Sequence, residues 1–60
     1  MTKDDFSDAR EGLGLTQRAL ADALGMSPTT IGQYEHGRHT VPRYVELAML
    51  ALWHRLEEPM

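Results

Sequence analysis

Apolar positions recur along the chain in steps of three and four, the repeat of a helix rather than of a strand. Thr2, followed three residues later by Asp5, has the pattern of a capping box, and Asp4 and Asp5 suit the positive end of a helix dipole. Phe6, Ala9, Arg10 and Leu13 then keep helical spacing, which predicts a first helix from about Lys3 to Glu11, with Gly12 and Gly14 both able to end it. Thr16 suits the N-cap of a second helix, Gln17 to Leu24, that turns Leu20, Ala21 and Leu24 inward and stops at Gly25. Ser27 can cap a third helix, about Pro28 to His36, because Pro28 presets φ at the first helical position. Ile31 and Tyr34 mark its buried stripe, whereas Thr29, Gly32, Gln33 and His36 share the opposite, polar side, and Gly37 ends it. Val41-Pro42 opens a fourth helix that runs to about Glu57, since Tyr44 to Leu56 contain neither glycine nor proline. The pattern predicts a compact all-α domain of four helices, five at most, spanning residues 1–60.

The second and third helices, joined by a tight turn containing Gly25, form a helix-turn-helix over about residues 16–37. Ala21 keeps the crossing close, and Leu20, Leu24, Met26 and Ile31 supply a shared interior. The fourth helix, about residues 42–57, is apolar nearly all round. Val45, Ala48, Met49, Leu52 and Leu56 form one stripe, and Leu47, Leu50, Ala51 and Trp53 extend it. Such a helix is buried on more than one side, so one face is expected to close the monomer and the other to meet a second copy. The expected interface residues are Leu50, Trp53, His54 and Leu56.

Size favours the same conclusion. A chain of 60 residues buries only about 60% of the surface its unfolded form exposes, so a further source of stability is expected. There is no cysteine, and His36, His39 and His54 are too scattered for a metal site, which leaves compact helix packing or oligomerisation, the latter favoured, and predicts neither metal nor cofactor. No basic-apolar leader and no long uncharged apolar run is present, so a cytoplasmic, nucleoid-associated protein without a membrane partner is expected. The net charge of −3 opposes a nucleic-acid partner, but its distribution softens the objection. The acids crowd the two ends, whereas residues 13–44 set Arg18, Arg38 and Arg43 against only Asp22 and Glu35. An enzyme is disfavoured: Asp4, Asp5 and Asp8 crowd a solvated helix start, no nucleophile stands with a base, and four short helices leave little room for a small-molecule pocket.

Leu15-Thr16-Gln17, Leu20-Ala21, Leu24-Gly25, Ser27, Ile31, Glu35 and Gly37-Arg38 together resemble the Cro/phage-repressor (XRE-type) helix-turn-helix family over roughly residues 6–50. The resemblance implies a lambda-repressor-like fold and a role for each matching position. Gln17 would reach a phosphate, Thr29 and Gln33 would face base edges, and Ser27, Thr30, Arg38 and Arg43 would hold the DNA backbone. Arg43 could alternatively probe the minor groove. Pro28, on the same helix, offers only apolar contact. Gly32 costs about 1 kcal/mol against alanine in a helix, and is either a close-approach position or simply tolerated. The resemblance also implies an internal ion pair between Arg10 and Glu35, structural rather than DNA-reading.

The function expected from these features is a sequence-specific transcriptional regulator. It would bind double-stranded DNA as a homodimer and repress its own or a neighbouring operon through a palindromic operator. An antitoxin-type regulator and a protein-interaction module without DNA binding are the alternatives.

Overall fold

A computed structural model describes residues 1–57, with side chains through residue 55. Among the described residues there are four helices and no strand: α1 (Lys3–Gly12), α2 (Gln17–Leu24), α3 (Pro28–Glu35) and α4 (Arg43–Glu57). Each of the first three starts at a side-chain cap. Thr2 and Asp5 bond reciprocally, with the Asp5 N–H donating to Thr2 Oγ1 at 3.1 Å and the Thr2 N–H to Asp5 Oδ2 at 3.3 Å. Thr16 Oγ1 accepts from the Ala19 N–H at 3.0 Å, and Ser27 Oγ from the Thr30 N–H at 3.3 Å, with Pro28 opening α3. These bonds satisfy donors that a helix start otherwise leaves unpaired.

Three boundaries differ from the pattern-based expectation, each for a local reason. Helix α1 runs through Gly12, and the left-handed residue that ends it is Gly14, at φ 72°. Gly12 answers a different need: a Cβ there would lie 3.0 Å from the Trp53 ring, so the missing side chain lets α4 approach. Helix α3 ends at Glu35 with His36 as its cap, and the Arg38 N–H reaches back to the Gln33 carbonyl at 2.9 Å over a left-handed Gly37. Helix α4 starts at Arg43 because Pro42 supplies the capping carbonyl, accepting from Val45 and Glu46 at 3.1 Å each. Val41 instead fills the core.

That core comprises Phe6 and Leu13 from α1 and its end, Leu20 and Ala21 from α2, Ile31 and Tyr34 from α3, and Val41, Val45 and Met49 leading into and along α4. Phe6 and Tyr34 meet edge to face with centroids 5.4 Å apart, joining α1 to α3. Helix α3 therefore rests on both α2 and α1, with Ile31 and Tyr34 inward and its polar side free. No helix among the described residues is long and apolar enough to cross a membrane.

Candidate nucleic-acid interface

The polar side of α3 forms the floor of a shallow, open cleft of about 470 Å³, bounded by the start of α2 and the turn after α3. Its lining consists of Gln17, Pro28, Thr29, Gly32, Gln33, His36 and Arg38. Five of the eight residues expected at a DNA surface, Gln17, Pro28, Thr29, Gln33 and Arg38, are thus brought to one concavity. The helical repeat explains the arrangement, since Thr29, Gln33 and His36 stack on one face while Ile31 and Tyr34 turn the other into the core.

The remaining three lie outside the cleft. Ser27 and Thr30 face each other, their hydroxyl oxygens 3.0 Å apart, and Ser27 is occupied as the cap of α3. Arg43 is exposed at the start of α4, its Nη1 3.7 Å from Glu46 Oε2. Two lining residues were absent from the expected set, Gly32 and His36. The signal for His36 was its spacing of three from Gln33 and seven from Thr29, on the same polar stripe.

The cleft carries one formal cation, Arg38, and no carboxylate among its lining residues. The acidic residue nearest in sequence, Glu35, is held on the other side of α3 by α1. Arg10 Nε donates to Glu35 Oε2 at 2.8 Å and Nη2 to Oε1 at 3.1 Å, while Ser7 Oγ donates to Oε1 at 3.0 Å. The third arm, Arg10 Nη1, donates to the Leu15 carbonyl at 2.8 Å. One guanidinium therefore ties the end of α3 to α1 and to the loop that leads into α2. Burial by itself pushes the Glu35 carboxyl up, but the bonds from Arg10 and Ser7, the Arg10 charge and a lesser contribution from Gln17 outweigh it and hold the group below the usual carboxylate range. The hydrogen bond to Glu35 in turn raises Arg10 above its ordinary value, against the opposing effect of burial.

A second concavity lies away from this face, between α1 and α4. It is apolar, about 340 Å³, and lined by Met1, Asp8, Ala9, Gly12, Leu13, Met49, Leu50 and Trp53. Tyr44, Leu47, Leu50 and Trp53 are the exposed large apolar side chains of the described residues. Trp53 is the least exposed of the four at 39%, because its ring covers Gly12. Of the other expected interface residues, Leu50 and His54 are exposed on α4, and the Leu56 side chain lies outside the described residues.

Comparison with known proteins agrees with this geometry. A family model described as helix-turn-helix (HTH_3) matches residues 7–51, three quarters of the chain and all of α2 and α3. Neither the curated proteins nor the solved structures give a match. The capped helix pair, its glycine turn and the outward polar stripe of α3 fall within the matched span, and the chain belongs to the XRE-type (Cro/C1-type) helix-turn-helix family of DNA-binding transcription regulators.

Proposed function

We propose that this chain is a sequence-specific repressor that binds a palindromic operator as a homodimer and controls its own or a neighbouring operon. The observation that carries the reading is the cleft over α3, which gathers Gln17, Thr29, Gln33 and Arg38 on a surface whose lining has no carboxylate. Thr29 and Gln33 read base edges. A glutamine pairs its amide with the N6/N7 edge of adenine, and a threonine methyl meets that of thymine. Gln17 and Arg38 bind phosphates at either side, fixing the register without carrying sequence information. Ser27 and Thr30 contribute through the turn, and Arg43 binds backbone or the minor groove from the start of α4. Pro28 gives apolar contact only.

The dimer uses α4, where exposed Leu47 and Leu50, with Trp53 beside the apolar cleft, offer a surface for a second copy. Pairing about a two-fold axis presents two copies of α3 to half-sites about 34–36 Å apart. It also counters the acidic total, because two weak modules on one duplex bind far more tightly than one.

The test is selection of binding sites from random duplexes by the purified protein at low and moderate salt, with sedimentation to give the oligomeric state and a Gln33→Ala variant in parallel. A palindromic motif that Gln33→Ala relaxes at one position per half-site is the expected result, with a cost of about 1–3 kcal/mol in discrimination there. Absence of enrichment from folded protein at every salt concentration overturns the reading.

A further inference from the structure

We propose that His36 binds the DNA backbone in its charged form, so that DNA binding by this chain takes up a proton. The inference rests on the DNA-binding reading above and assigns one residue of the cleft that the reading leaves without a role. His36 is exposed and lines the cleft with Thr29, Gln33 and Arg38. It stands seven positions beyond Thr29 on α3, about 10 Å along the axis at 1.5 Å per residue. The N-terminal residues of such a helix meet base edges, so with Thr29 over the bases His36 stands at the far end of the helix, where the chain leaves the groove floor toward the phosphates. As the cap of α3 it also sits at the negative end of that helix, which favours a cation.

Few charged groups surround it. Arg38 shares the cleft, and Gln17, the residue that α2 contributes, is neutral. Glu35 adjoins His36 in sequence but is bound to Arg10 and Ser7 of α1. His39 and Lys3 line the separate pocket on the far side of Gly37. Against a phosphate a charged imidazole gains a direct anionic partner. Histidine is the side chain that ordinarily changes charge near neutral pH, so the difference between free and bound protein appears in the accessible range. For a chain with net charge −3, each added interfacial cation is a large fraction of its electrostatic attraction to DNA.

The experiment measures binding of the full chain to a fluorescent mixed-sequence duplex of about two helical turns at pH 6 and pH 8, each over a range of salt. Circular dichroism checks folding at both pH values. Affinity is expected to be several-fold higher at pH 6, up to about tenfold for each unit by which one bound proton's pKa rises. The slope of log affinity against log salt should be steeper at pH 6 by about 0.9 per protomer, the mark of one more neutralised phosphate. His36→Gln should remove both differences, whereas His39→Gln and His54→Gln should retain them. Equal affinity and slope at the two pH values, or a dependence at least half retained in His36→Gln, overturns the proposal and leaves the DNA-binding reading intact. Folded protein that binds the duplex at neither pH overturns both.

Discussion

Replacing Arg10 by methionine removes the fork that holds α3 to α1, and the structure sets the size of the loss. The guanidinium makes two bonds to Glu35, at 2.8 and 3.1 Å, and one to the Leu15 carbonyl at 2.8 Å. The side chains of Arg10 and Glu35 are 17% and 9% exposed, so the pair is largely desolvated and poorly screened. Breaking such a pair from one side costs about 3–5 kcal/mol, because the abandoned charge stays buried. The residual exposure places this case at the lower end, about 3 kcal/mol. A domain of this size has a total stability of about 3–9 kcal/mol, so Arg10→Met should lose a third or more of its stability. Glu35→Met should cost a comparable amount by stranding the guanidinium. The double variant should recover most of it, to within about 1 kcal/mol of wild type, since apolar side chains of similar volume replace a buried pair at little cost. Urea denaturation followed by far-UV circular dichroism, at one fixed protein concentration, measures the cycle. An osmolyte can be added equally to all four proteins if a single variant is unfolded in buffer. If Arg10→Met costs less than about 1 kcal/mol, the pair behaves as a surface salt bridge and the reasoning fails. Additive losses in the double variant would refute it as well.

The same carboxylate gives a pH prediction. Glu35 titrates below its usual range when folded, so its contribution is complete above the unfolded value of about 4.3 and is lost as pH falls through the lower folded value. Thermal unfolding of wild type should therefore shift downward in acid below that pH, and Glu35→Gln should shift less. An equal acid shift in the two proteins would rule out Glu35 as the source. Gly32→Ala separates stability from binding: nothing lies within 4 Å of the position its Cβ would take, so the fold should gain about 0.8–1 kcal/mol. Because Gly32 lines the cleft, the added methyl should weaken binding to the selected duplex even as the melting temperature rises. Unchanged affinity would show that the glycine is merely tolerated.

The residues that were legible in the sequence are those whose function is local. Thr2, Thr16 and Ser27 with Pro28 announce helix starts because a cap acts on backbone groups only two or three residues away. The starts of α1, α2 and α3 follow from them to the residue, and Gly25 marks the end of α2 in the same local way. The polar stripe of α3 is legible for the same reason, and it carries Thr29, Gln33 and His36 to one side before any tertiary contact is known. What the sequence withholds is the purpose of residues whose partners are distant. Gly12 and Gly14 are interchangeable as helix terminators by type, and only the Trp53 ring against Gly12 distinguishes them. Gly37 likewise ends α3, but its bare face also receives the Lys3 stem, with Lys3 Cδ 3.1 Å from where a Cβ would be.

Helix α4 shows the limit most clearly. Its all-round apolarity predicts more surface to cover than one small core provides, but it is silent on direction. The packed structure supplies that direction, with Val45 and Met49 buried, Trp53 turned toward α1, and Tyr44, Leu47 and Leu50 left outward. Trp53 is therefore partly spent on the monomer, and the outward surface available to a second copy shifts toward Leu47 and Leu50. A dimer that depends on this surface couples assembly to DNA binding. Since α4 packs against the core that also carries α3, a change at Leu50 should alter half-site spacing or affinity without touching a base-reading side chain, whereas a change at Trp53 should also loosen α1 through Gly12.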